Sequence, residues 1–189
     1  MNINIHYIDA FTDTLFKGNS AAVVITDNWL TDVLMQKIAT ENNLSETAFM
    51  VKSADGRYGI RWFSPLTEID FCGHATLASA FVLFSQLPNS KQLVFIADAV
   101  GELTITKKSA NEIEMVFPNQ KPENLTTIPD ELLKGLSITP VKVLRNRQAY
   151  FVIYANEQDV IDVIQDNERL TKLAPYDVVV TAPAINEDY

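Results

Sequence analysis

Asp70-Phe71-Cys72-Gly73-His74-Ala75-Thr76-Leu77-Ala78-Ser79-Ala80-Phe81-Val82-Leu83-Phe84 joins a polar, glycine-containing turn to a run that is apolar on nearly every side. Wound as an α-helix, such a run has no solvent face, so other elements must wrap it. Most of the remaining chain reads as strands able to do so. The first turn of this helix carries Gly73 and His74. The leading N–H groups of a helix lack intrahelical partners, so its start is a ready anion site in the middle of the fold.

Upstream, Ile3, Ile5 and Tyr7 alternate with polar residues and mark a half-buried strand. After a turn at Lys17-Gly18-Asn19-Ser20, Ala21 to Ile25 has strand length, and Leu30, Val33, Leu34 and Ile38 share one face of a helix running from Thr31 to Asn42. Asn43-Leu44-Ser45 ends that helix. Glu46 to Val51 reads as a strand, Ala54-Asp55-Gly56 as a turn, and alternating Tyr58, Ile60 and Trp62 as the next strand, broken by Ser64-Pro65.

Downstream, the apolar helix stops near Pro88-Asn89, and Gln92 to Ala97, Glu102 to Thr106 and Glu112 to Phe117 form a meander. Its turns are Val100-Gly101 and Ser109-Ala110-Asn111. Pro118 to Pro129 is polar and aperiodic, which divides the chain into a first lobe of residues 1–118 and a second of residues 119–189. The second lobe reads as a short helix at Glu131 to Leu136, strands at Val141 to Leu144 and Ala149 to Tyr154, a helix capped by Asn156 with Val160, Val163 and Ile164 inward, and a strand at Asp177 to Thr181. The order strand, helix, strand over Ala149 to Thr181 echoes Ala21 to Val51. No counterpart of the helix from Gly73 to Leu87 follows it.

Composition narrows the chemistry. A 189-residue chain that is 47% hydrophobic is globular, and its formal charge of −9 argues against nucleic-acid or anionic-membrane surfaces. Any anionic ligand must therefore be met locally. The single cysteine, Cys72, excludes an internal disulfide, a cysteine-rich zinc site and a racemase using two opposed thiols. The N-terminal stretch lacks a signal-peptide layout and no apolar run approaches the roughly 18 residues of a membrane span, so a cytoplasmic protein is expected. His6 and His74 are the only histidines and neither shows metal-ligand spacing, so no metal is expected. Nucleophile-elbow, P-loop and dinucleotide-binding motifs do not occur. Carboxylate acid/base chemistry beside an anion-binding helix end is what remains.

Taken singly, the residues near that helix have plain structural readings. His74 fills or caps the first turn, Gly73 supplies a positive-φ turn, Cys72 is a small buried residue, and Glu46 is a solvated strand edge. Asp70 and Gly18-Asn19 are turn residues, and Arg61 is a strand-face cation.

Together they carry a resemblance. Asn43-Leu44-Ser45-Glu46-Thr47-Ala48-Phe49, Arg61-Trp62-Phe63-Ser64-Pro65 and Asp70-Phe71-Cys72-Gly73-His74-Ala75-Thr76-Leu77-Ala78, in this order and spacing, resemble the phenazine-biosynthesis PhzF-like isomerase family. The opening, Phe11 with Gly18-Asn19 and Ala21-Ala22-Val23, is similar too. The resemblance implies an α+β, diaminopimelate-epimerase-like fold: two lobes, each a curved, mostly antiparallel sheet around a central helix, with a cleft between them. It further implies a cofactor-free enzyme acting on a small anionic substrate. In the best-known member a glutamate at the position of Glu46 moves a proton on dihydro-hydroxyanthranilate. Glu46 is thereby implied as general acid/base, partly desolvated, with Gly73 and His74 orienting the substrate and Asn19 a further contact. Ser20 stands where the family often has proline after Gly-Asn. Family members also continue past the strand resembling Asp177 to Thr181, so the second lobe is expected to be incomplete and the chain to associate as a homodimer. A non-catalytic module that keeps only the anion site is the alternative reading.

Overall fold

The computed structural model describes residues 2–14, 16–110 and 112–185. Asn111, placed by sequence in a turn, and the closing Asn186-Glu187-Asp188-Tyr189 lie outside them. The chain divides into two compact units, Met1–Pro118 and Asn119–Tyr189.

The first unit holds β1 (Ile5–Ala10), β2 (Asn19–Thr26), α1 (Asp32–Asn42), β3 (Glu46–Lys52), β4 (Tyr58–Phe63), β5 (Glu68–Ile69), α2 (Gly73–Gln86), β6 (Gln92–Ala97), β7 (Gly101–Lys107) and β8 (Ile113–Val116). Its sheet runs β1-β2-β3-β4-β6-β7-β8, with β5 paired to β4 off the main path. Only β2 with β3 and β4 with β6 are parallel; the other pairs are antiparallel. Helix α2 packs on β1, β2 and β3 and also on β8, at opposite ends of this strand order. A sheet touches one helix with both ends only by curling around it. The two-residue strand β5, in the connection after Ser64-Pro65, is too short to leave a period in the sequence.

Strand alternation distributes the apolar residues to two layers. Ala21, Val23, Ala48, Met50, Ile60 and Trp62 enter the core around α2. Their neighbours Val24, Phe49 and Phe63 face the other way and pack with Leu30, Met35 and Ala39 of the α1 side. This explains why β2 reads as a continuous apolar run: Ala21 to Val24 are all buried because helices cover both faces. Helix α1 begins where Thr31 accepts a hydrogen bond from the Leu34 N–H and ends where Asn43 turns left-handed at φ 51°. Helix α2 is buried along most of its length, but Phe81 is 50% exposed, so the wrapping predicted for its whole circumference is open on one stripe.

The second unit holds β9 (Glu123–Asn124), α3 (Asp130–Lys134), β10 (Lys142–Arg145), β11 (Ala149–Ile153), α4 (Glu157–Asp162), α5 (Asn167–Leu170) and β12 (Asp177–Thr181). Its sheet order is β12-β11-β10-β9, with β11 and β12 parallel and the other pairs antiparallel. Leu132, Val143, Tyr150, Val152 and Tyr154 centre its core. Asn156 caps α4 by accepting from the Asp159 N–H, and Val160 and Val163 pack inward. Ile164, predicted to face in, is 73% exposed, because α4 ends at Asp162 and the chain leaves the helical path before reaching it. Among the described residues no helix is long and apolar enough to cross a membrane.

Candidate active site

The parity of β3 aims the carboxylate. Ala48 and Met50 face α2, so Glu46, two residues earlier and the first residue of the strand, projects from the same face. Opposite it, Cys72 stands at the N-cap of α2 in extended conformation, where a side chain accepting from the helix would usually sit, and makes no such bond. The first helical hydrogen bond runs from Thr76 N–H to Cys72 C=O at 3.1 Å, which leaves the N–H groups of Gly73, His74 and Ala75 without intrahelical acceptors.

His74 gathers the group. Its Nε2 lies 3.1 Å from Glu46 Oε2 and 3.3 Å from Ser45 Oγ, and its Nδ1 lies 3.3 Å from Cys72 Sγ. The Glu46 and His74 side chains are 18% and 10% exposed. Glu46 Oε2 is itself buried and has no hydrogen-bond partner: the imidazole is close enough for an ion pair but not aligned to donate. A carboxylate oxygen kept from water without a bonding partner is costly, and catalytic hydrogen bonds in ligand-free sites are often misaligned in this way. Burial, with the Glu46 charge adding to it and the Ala75 N–H opposing, pushes the Cys72 thiol up to about 12.

The sequence-predicted residues are thus partly assembled. Glu46 and His74 meet, and Gly73 is the first residue of α2. Gly73 does not adopt positive φ, contrary to its plain reading, and a Cβ built on it meets nothing within 4 Å. Open space over a helix start fits an approaching ligand rather than a turn requirement. Asn19, by the parity of Ala21 and Val23, shares the α2-facing side of β2 and lies two residues before Ala21, the register partner of Glu46, but it is exposed and outside the His74 group. Gly18 before it does need to be glycine, since its φ is 89° and a Cβ would approach Ala10 O to 2.3 Å.

Two partners of His74, Ser45 and Cys72, escaped the sequence reading as site residues. The available signal was a cysteine in a cap position two residues before a histidine. The premise that His74 belongs to no ligand-like group is corrected here: Glu46, Cys72 and His74 each offer a ligand atom within 4.8 Å of the others and could hold a metal ion. Spacing concealed this because Glu46 arrives from a strand far away in sequence.

Arg61, which opens the motif ending in Ser64-Pro65, is occupied structurally. It donates from two nitrogens to Glu68 at 2.6 Å each and to Asp32 at 2.8 Å, and it stacks near Trp29 and Phe63.

Comparison with known proteins now decides the family. Residues 8–188 match the PhzC-PhzF family, described as phenazine biosynthesis-like protein. The chain belongs to this family. An uncharacterized isomerase of Pseudomonas aeruginosa is 42% identical over 189 residues, which is all of this chain and 71% of that protein. The crystal structure of a PhzF-family phenazine biosynthesis protein from Enterococcus faecalis superposes with a TM-score of 0.80 at 39% identity, over 96% of this chain and 69% of that one. A protein described as a predicted epimerase, also from Pseudomonas aeruginosa, shares the fold at a TM-score of 0.68 and 20% identity, over 95% of this chain and 70% of its own. The chain accordingly has an α+β fold shared with that predicted epimerase, and it belongs to a family whose relatives include proteins named isomerases.

Proposed function

We propose that the chain moves a proton on a small anionic, cyclic or amino-acid-like substrate, without a cofactor, with Glu46 as the general acid/base. The observation that carries this reading is the buried, unbonded Glu46 Oε2 held 3.1 Å from His74 at the start of α2. In this scheme the substrate's anionic group docks against the start of α2, where the leading N–H groups have no intrahelical acceptor and the helix end favours negative charge. Glu46 takes a proton from an adjacent carbon and returns it to another carbon of the same molecule, so no net oxidation occurs. His74 holds the anionic group and steadies the carboxylate, and Asn19 is a secondary contact. Cys72 stays protonated and fills the floor.

The test is loss of a carbon-bound proton to deuterium oxide, followed by proton NMR over a panel of cyclic and amino-acid-like carboxylic acids. Glu46→Gln is expected to slow exchange by about 10² to 10⁴-fold. Unchanged exchange in that variant overturns the assignment, and saturable binding with no exchange in the wild type supports the module that only binds anions. A homodimer belongs to the same proposal, supported by Val179 of β12, at the end of the strand order and 40% exposed. A monomer in sedimentation at micromolar concentration overturns that part.

A further inference from the structure

The second unit contains a recess of about 420 Å³ lined by Asn119, Gln120, Lys121, Glu123, Arg145, Asn146, Arg147 and Tyr176. That volume lies within the range of small-molecule sites. Its charge runs against that of the whole chain: three cations face the single carboxylate of Glu123 in a protein of net charge −9. The chain has five arginines. Arg57, Arg61 and Arg169 are all paired with carboxylates, and the two with no carboxylate in ion-pair distance among the described residues, Arg145 and Arg147, are the two that line this recess. Lys121 likewise has no carboxylate within ion-pair distance among the described residues. Guanidinium groups without a carboxylate partner among the described residues, gathered in a concave site, are suited to an oxyanion, which they grip through two parallel N–H donors.

The walls are fixed. The Arg145 guanidinium sits 4.9 Å from the ring centre of Tyr176 and 5.8 Å from that of Tyr150. Asn146 donates to Gln120 O and accepts from the N–H groups of Gln148 and Ala149, each at 2.9 Å, which ties the β10–β11 turn to the segment carrying Lys121. The recess also has a defined place in the chain's internal repeat. Tyr176 immediately precedes Asp177, which opens β12 in register with Ala149 of β11, just as Glu46 opens β3 in register with Ala21 of β2. The recess therefore occupies, in the second unit, the same end of the strand–strand–helix–strand repeat that carries the Glu46 site in the first.

We infer that this recess is a second anion site, built to bind a compact molecule with at least two negative charges, a phosphate or a dicarboxylate, through Arg145, Arg147 and Lys121. The inference stands independently of the chemistry proposed for Glu46. Calorimetric titration of the full chain with pyrophosphate and with malonate, at constant ionic strength, tests it. Saturable binding with a Kd of about 1 mM or tighter is expected for at least one probe, and the preferred probe says whether phosphate or carboxylate is the natural group. The double variant Lys121→Ala/Arg147→Ala, which alters exposed side chains only, is expected to weaken binding by roughly tenfold or more. Arg145→Lys, which keeps the charge and removes the planar fork, is expected to weaken it as well. Absence of saturable binding overturns the inference. So does binding that survives the double variant, and binding lost in His74→Ala with the double variant unaffected, which places the anion at α2 instead.

Discussion

The two units begin alike and diverge. Each runs an antiparallel strand pair, a helical connection and a strand added in parallel: β1, β2, α1 and β3 in the first, and β10, β11, the helices α4 and α5, and β12 in the second. Each places an acid, Glu46 or Asp177, at the head of the parallel strand. In the first unit the sheet continues through four further strands of its path and is covered on both faces, so β3 carries four consecutive buried residues. In the second, among the described residues, no strand lies beyond β12 in the sheet and β12 has no fully buried residue. The lesson is that an acid at this topological point is not a site by itself. Glu46 is proposed as one because the start of α2 stands opposite, with one Glu46 oxygen buried and His74 beside it, whereas no helix longer than six residues is described in the second unit.

The largest expected effect tests that distinction directly. In deuterium-exchange assays Glu46→Gln is predicted to remove about 10² to 10⁴-fold of the rate, and Asp177→Asn to leave it within experimental scatter. Equal losses break the comparison, since they give the two acids equal roles. Next, Leu83→Ala in the buried face of α2 is predicted to lower urea-unfolding stability by about 2–5 kcal/mol, and Val179→Ala on β12 by under about 0.5 kcal/mol. Comparable costs show β12 to be covered in solution.

A smaller effect isolates the first unit, which holds the only cysteine. The Cys72 thiol is pushed up to about 12 in the fold, mainly by burial, against about 8.5 for an unfolded chain. A raised folded value favours the protonated form, so this contribution is fully present below about pH 8.5 and is lost as the pH rises from there towards 12. Cys72 is expected to react with iodoacetamide slowly at pH 8.5 when native and quickly in urea, and Cys72→Ala to flatten the alkaline part of the stability profile. Equal native and unfolded alkylation rates contradict the burial of the thiol. Smallest are the helix caps. Thr31→Ala is predicted to cost about 1 kcal/mol through α1, whose Met35 and Ala39 are buried, whereas Asn156→Ala only frays α4, which buries none of its residues. Hydrogen exchange confined to α4 in the second variant, and spread beyond α1 in the first, checks this.

Much of the first unit was legible in the chain. The limits of α1 and of β3, β4 and β6 follow from period, cap and turn residues, because there alternation and burial agree. The short strands β5 and β9, of two residues each, leave no period and were invisible. Ile164 was misassigned because a helical period was extended past the true end of α4. At the site, Glu46, Gly73 and His74 are nominated by the family resemblance their motifs carry, since taken singly each has a plain structural reading. Ser45 and Cys72 were missed as partners because their roles depend on both nitrogens of one imidazole, a three-dimensional fact that no spacing encodes. That Arg145 and Arg147 have no carboxylate partner among the described residues was equally hidden, since pairing is decided by which carboxylates the fold brings near.

Gly73 leaves a consequence for engineering. Its first-turn position tolerates a side chain without collision or backbone strain, since the space over it is open. A methyl group introduced there as Gly73→Ala sits where the substrate's anionic end is proposed to dock. That makes the position a natural place to carve an orthogonal enzyme–substrate pair: a bump on the protein, matched by a trimmed ligand, that leaves the Glu46–His74 geometry as it stands.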